Sequence, residues 1–191
     1  MLSFISGGVR SGKSTFAERR AIIRAENKCS LHYIATSINT DEEMKQRINH
    51  HQQSRKESSA KWLNWERAVD LETLADQFTK KDIVLIDCLT TWLSNELFTG
   101  WQTGKMKWES ATFRNSVYQK IIKAVEALHK ESAEVILVSN ELFFEPVPDE
   151  KATFNYLQLL GALHQEIIHK ADTAFLVENG IVKAMKAEEK V

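Results

Sequence analysis

The run Gly7-Gly8-Val9-Arg10-Ser11-Gly12-Lys13-Ser14 constrains this chain more than any other stretch. It fits the spacing GxxxxGK[ST], follows a short apolar run at 2–6 and opens a helix-period stretch at Lys13. Each part has a physical task. Gly7 and Gly12 allow backbone conformations that turn successive N–H groups toward an anion. Lys13 reaches the outer phosphates as a point charge, and the Ser14 hydroxyl is suited to ligate Mg2+. The helix that begins here adds its N-terminal partial positive charge beneath the phosphates. Strand, glycine loop and helix in that order predict a nucleoside triphosphate site.

The rest of the chain supplies the frame that such a loop needs. Short β-rich runs at 2–6, 31–35, 82–87 and 134–139 alternate with helix-period stretches at 13–26, 41–56, 68–80, 89–97, 107–130 and 150–170. The runs DIVLID and EVILVS are almost continuously apolar, as strands buried on both faces must be. Two further runs, 174–177 and 181–185, flank Asn179-Gly180 and predict a C-terminal hairpin. The alternation predicts an α/β fold, a three-layer wound and mostly parallel sheet with helices on both faces. The stretch 98–107, with Gly100 and Gly104, is the segment expected to form a mobile loop.

Composition narrows the class further. At 191 residues the chain is expected to form one nucleotide-binding domain, 1–191. Its 25 Lys+Arg against 26 Asp+Glu give a net charge of −1, which argues against a nucleic-acid surface. Two cysteines, Cys29 and Cys88, form neither a disulfide framework nor a zinc spacing. No signal-peptide pattern opens the chain, and no run approaches the roughly 18 apolar residues of a membrane span. A cytoplasmic location is the expectation.

A triphosphate site in such a sheet needs an acid at the end of a second buried strand. Asp87 closes DIVLID and is expected to meet Mg2+; an N-cap for the helix at 89–97 is a compatible second role. Asp82 opens the same strand and so lies at the wrong edge, because ligands collect at carboxyl ends. Thr36 and Ser37 follow the strand at 31–35 and sit where small hydroxyls reach a ligand. Within 41–56, Arg47, His51 and Arg55 are spaced i, i+4, i+8 and share one helix face. Flanking arginines disfavour protonation of His51, which is then available as a nucleophile or a base beside two phosphate-gripping groups. The competing account of His50-His51 is a solvated polar helix face. Glu66, after Trp62 and Trp65, is a further acid, read either as a ligand contact or as a helix N-terminal charge.

Several spaced motifs stand in one order: GGVRSGKS, YIATS, DEEMKQRINHH with Arg55, Trp62 to Glu66, LIDCLTTWLSN, and VSNE followed by VP. In this the chain resembles the bifunctional adenosylcobinamide kinase / adenosylcobinamide-phosphate guanylyltransferase family of cobalamin biosynthesis, over nearly its whole length. The resemblance implies two reactions. ATP or GTP phosphorylates the aminopropanol hydroxyl of adenosylcobinamide. GTP then yields GMP to an enzyme histidine, and the GMP passes to adenosylcobinamide phosphate, giving adenosylcobinamide-GDP. The histidine maps to His51. Nucleotide contacts carry over to Gly7, Gly8, Val9, Arg10, Ser11, Gly12, Lys13 and Ser14, to Ala35, Thr36 and Ser37, to Gln52, Gln53, Ser54 and Arg55, and to Glu66 and Asp87. Mg2+ at Ser14 and Asp87, and a homotrimer, are also implied.

This chain departs from the family pattern in places. The spacing from His51 to Glu66 is longer than usual. After Asn140-Glu141 the usual glycines are absent and Leu142-Phe143-Phe144-Glu145-Pro146-Val147-Pro148 stands instead. Leu157-Gln158 and His164 replace the usual Arg-Asp and Asn of the last helix. Alternatives are an enzyme that keeps one of the two activities, and a non-catalytic nucleotide-dependent binding protein. The apolar residues of 107–130, Trp108, Phe113, Val117, Ile121, Ile122, Val125 and Leu128, are read as core, with subunit interface as the other possibility.

Overall fold

A computed structural model of the chain describes residues 1–26, 28–37, 60–144, 146 and 149–187. Seven strands form one sheet in the order β3-β2-β4-β5-β1-β6-β7. They are β1 (Leu2–Gly7), β2 (Ser30–Ala35), β3 (Trp62–Glu66), β4 (Asp82–Asp87), β5 (Glu134–Asn140), β6 (Thr173–Glu178) and β7 (Ile181–Lys186). All neighbours are parallel except β6 and β7, which form the expected hairpin. The described α-helices are α1 (Lys13–Ala25), α2 (Leu89–Leu97), α3 (Ala111–Glu131) and α4 (Lys151–Lys170).

The period-2 alternation of the strands divides the core in two. Leu2, Phe4, Ile34, Val84, Ile86, Val135 and Leu137 face α2, α3 and α4. Ile5, Leu31, Tyr33, Ile83, Leu85, Ile136 and Val138 face α1, which presents Ala17, Ala21 and Ala25. Small residues on α1 bring its axis close to the sheet, so its first turn lies directly above the end of β1. The α/β expectation, with helices on both faces, holds.

Three expectations change. The stretch 68–80 is not a regular α-helix: a 3-10 segment, Leu71–Gln77, follows Asp70 in a left-handed conformation. Its Leu71, Leu74 and Ala75 still enter the core, which is why the apolar spacing suggested a helix. The stretch 98–107 is a chain of tied turns: Thr103 N–H and Lys105 N–H both donate to the Gly100 carbonyl, and Gly104 N–H to that of Trp101. Phe98 stacks on Tyr156 and meets Trp101 and buried Trp108. Edge strand β3 was not expected. Its exposed Leu63 and Asn64 hide the pattern, and it is anchored by Trp65, whose indole N–H donates to His32 Nδ1 at 3.0 Å. The other His32 nitrogen meets Asp82 at 3.2 Å. Asp82 also accepts from Thr79, so it is structural, at the edge away from the ligand.

In α3 the residues suggested as subunit interface, Val117, Ile121, Ile122, Val125 and Leu128, are buried in the chain's own core, as is Trp108. Core packing accounts for them. The expected helix at 41–56 lies outside the described residues.

Behind β5, His164 of α4 is buried against Phe4 and bonded through Nε2 to Ser139 Oγ at 2.7 Å. Burial pushes its pKa from 6.5 down to about 4. Between those two values the unfolded chain binds a proton that the folded chain refuses. Folding stability should therefore fall as pH drops from 6.5 to 4, by about 3 kcal/mol, and urea unfolding across that window should show a flatter profile for His164→Gln. Phe143 packs edge-on against the same imidazole, and a methyl at Gly161 would meet its ring at 3.7 Å, ordinary contact. Gly161→Ala should accordingly raise stability by about 0.5–1 kcal/mol, read by chemical denaturation, because a helix-interior glycine is replaced without a clash.

Candidate active site

The carboxyl ends of the parallel strands form one edge. Register sets Glu66 beside Ala35 and Ala35 beside Asp87, while Gly7 lies beside Asn140. Open α/β sheets bind ligands at this edge.

The loop after β1 is built from unusual backbone conformations. Arg10 (φ 62) and Gly12 (φ 92) are both left-handed. Gly12 is the N-cap of α1, with no side-chain cap and no acid in the first turn, so the first N–H groups of α1 are left for an anion. Lys13 is only 4% exposed, and its ammonium folds back onto the Gly8 carbonyl at 3.0 Å. Ser14 is buried beside it. Val9 and Arg10 form the exposed tip. Ser11 Oγ is buried and has no hydrogen-bond partner among the described residues. A buried hydroxyl without a partner costs free energy, and a ligand oxygen here would recover it.

Asp87 sits half-buried at the end of β4, and the Tyr33 hydroxyl donates to its Oδ2 at 2.9 Å. It does not cap α2, whose N-cap is Cys88, with no side chain capping the helix N–H groups. The N-cap role expected for it is therefore not seen. Thr36 is 0% exposed, and its hydroxyl donates to the Cys88 carbonyl and accepts from the Cys88 N–H, both at 2.8 Å. Asn95 donates to the Thr36 carbonyl from α2. Thr36 therefore ties β2 to β4, and the more accessible groups of that turn are Ala35 and Ser37. Glu66 is exposed at the end of β3, not at a helix N-terminus. His50, His51, Gln52, Gln53, Ser54 and Arg55 lie outside the described residues.

Sequence reasoning did not single out a polar cluster at the end of β5, between Asp87 and Gly7. Asn140 Nδ2 donates to Thr90 Oγ1 at 2.8 Å, and the Tyr156 hydroxyl donates to the Thr90 carbonyl at 3.0 Å. Burial raises the Tyr156 pKa, so the phenol stays a neutral donor. Its residues come from β5, α2 and α4, and no local spacing links them.

A glycine loop on a strand-to-helix turn, a buried lysine within it and an acid at the end of a buried strand one place removed in the sheet define a P-loop nucleotide-binding protein. Solved structures agree on the fold. One solved ATPase domain matches 98% of this chain and 77% of its own, with a TM-score of 0.53 at 14% identity. A prototypical ATPase from the type III secretion system of pathogenic bacteria matches 96% of this chain and 56% of its own, with a TM-score of 0.57 at 14% identity. The family model for cobinamide kinase / cobinamide phosphate guanyltransferase matches residues 3–185. The bifunctional adenosylcobalamin biosynthesis protein CobU of Escherichia coli (strain K12) is 32% identical over 95% of this chain and 97% of its own length. CobU of Salmonella typhimurium is 33% identical over the same shares, and CobP of Pseudomonas aeruginosa is 32% identical over 98% and 99%. The chain belongs to the cobinamide kinase / cobinamide phosphate guanyltransferase family.

Two glycines of the loop have opposite tolerances. A methyl on Gly7 would lie 2.3 Å from the Val177 carbonyl oxygen and 2.7 Å from Ser11 Oγ, whereas one on Gly8 meets nothing within 4 Å. Gly7→Ala should cost about 1–3 kcal/mol of stability and weaken nucleotide binding at least about tenfold, while Gly8→Ala should leave the fold intact. Urea unfolding and a fluorescent-nucleotide titration of both variants check this.

Proposed function

We propose that this chain is a bifunctional enzyme of that family. It phosphorylates adenosylcobinamide from ATP or GTP, then transfers GMP from GTP through His51 to adenosylcobinamide phosphate, giving adenosylcobinamide-GDP. The observation that carries the reading is the loop at residues 7–14, with buried Lys13, a Ser11 Oγ that has no partner among the described residues and a helix start without a side-chain cap, in a chain that matches the family from residue 3 to residue 185.

In the kinase step, Lys13 and the loop N–H groups hold the outer phosphates while the acceptor hydroxyl attacks the γ-phosphorus and the nucleoside diphosphate departs. In the guanylyl step, a neutral His51 nitrogen bonds to the α-phosphorus of GTP as the bond to the bridging oxygen breaks and pyrophosphate leaves. A phosphate oxygen of adenosylcobinamide phosphate then displaces the histidine and takes the GMP. Splitting one hard transfer into two displacements is the advantage of the covalent intermediate. Gln52, Gln53, Ser54 and Arg55, with Ala35, Ser37 and Glu66, are the further nucleotide contacts of this reading. The Ser14 hydroxyl and the Asp87 carboxylate form a hard-oxygen donor set that suits Mg2+. When bound, the ion neutralises phosphate charge. The 191 residues act as one domain. A homotrimer rests on the family resemblance, and light scattering tests it.

No helix among the described residues is long and apolar enough to cross a membrane. A cytoplasmic location and small-molecule substrates belong to the same proposal.

Labelled GTP separates the two halves. After denaturation, α-labelled but not γ-labelled GTP should leave acid-labile, alkali-stable label on the protein. His51→Ala should abolish that label and His50→Ala should retain it. Nucleotide binding without covalent label would overturn the guanylyltransferase half, and absence of corrinoid-dependent ADP release from ATP would overturn the kinase half.

A further inference from the structure

The C-terminal hairpin touches the phosphate loop directly. The turn Asn179-Gly180 joins β6 to β7, with φ of 50 and 78, the positive pair that a tight two-residue hairpin requires. In such a turn the flanking residues close the ladder, here Glu178 with Ile181, and the second central N–H is left outside it. Gly180 uses that N–H to donate to the Ser11 carbonyl at 2.9 Å. Gly12 packs alongside: a methyl there would meet the Gly180 Cα at 3.5 Å.

A trans peptide is planar, with its C=O and N–H pointing in opposite directions. A Ser11 carbonyl held toward the hairpin therefore turns the Gly12 N–H away from it. The same residue carries the second observation: Ser11 is only 8% exposed, and its buried hydroxyl lacks a partner among the described residues. We propose that the Asn179-Gly180 turn is a positioning element of the phosphate site. Its Gly180 N–H holds the Ser11–Gly12 peptide so that the Gly12 N–H and the Ser11 hydroxyl both meet the oxygens of a polyphosphate chain. The ligand class is the triphosphate moiety itself, independent of the base. This rests on the phosphate-loop reading above and adds a residue far from the loop in sequence.

The experiment replaces the Gly180 N–H with an ester oxygen and leaves every side chain in place. Dissociation constants are measured for GTP and for inorganic tripolyphosphate. Loss of one charge-assisted hydrogen-bond arrangement should weaken both ligands by about tenfold. Gly180→Asn keeps the N–H and has open space at its Cβ but carries the strain of a side chain at positive φ, so it should lose less affinity than the ester. Equal affinity of the ester and unaltered chains would overturn the proposal, as would a loss confined to GTP or an equal loss in Gly180→Asn. Amide NMR of the unaltered chain is a readout that needs no variant to fold. Saturation with tripolyphosphate should shift the Gly12 resonance, and an unshifted Gly12 overturns the proposal. If the unaltered chain binds neither ligand, the phosphate-loop reading itself falls, an outcome distinct from the others.

Discussion

Gly7 lies so close to the Val177 carbonyl that any side chain there would force backbone apart, and this approach governs the geometry around it. It sets the end of β1 firmly between β5 and β6. The chain must then turn sharply through Arg10 and Gly12 in left-handed conformations before α1 can begin. Because α1 meets the sheet through alanines, its uncapped first turn comes down onto the same point. Strand pairing, loop conformation and helix start thus converge on one concave patch of N–H groups.

That convergence explains how a chain of net charge −1 holds a polyanion. Charge at the opposite edge of the sheet is consumed internally. Glu134 is nearly buried and held by Arg24 at 3.0 Å and by Ser3 at 2.7 Å, and Asp82 is held by Thr79 and His32. At the carboxyl edge the groups are arranged differently. Lys13 is buried with its ammonium on a backbone carbonyl, and helix N–H groups stand uncapped. A few oriented donors in a low-dielectric pocket outweigh a diffuse basic surface.

The chain departs locally from the family pattern after Asn140-Glu141, where Leu142-Phe143-Phe144 stands in place of the usual glycines. The fold accommodates the change on α4: Phe143 lies over Gly161 and edge-on to His164, itself a departure from the family pattern. Phe144 stays 81% exposed. The two departures are thus in contact, and a bulky residue on one element is met by a missing side chain on the other.

The sequence by itself determined the buried strands, the phosphate loop and the hairpin, because each depends on local chemistry: apolar runs, glycines at required conformations, and Asn179-Gly180 at a tight turn. It was silent or misleading where the outcome depends on partners distant in the chain. Strand β3 carries exposed polar residues and exists because Trp65 reaches His32; the 68–80 stretch stops at 3-10 geometry although its apolar spacing suits an α-helix. Thr36, expected to contact a ligand, has its hydroxyl and carbonyl engaged by Cys88 and Asn95, which lie far along the chain. Gly180 read as a turn residue and no more. Only the pairing of β1 with β6 brings that turn against Ser11, since hydrogen-bond partners across a sheet are set by strand order, which no local spacing encodes.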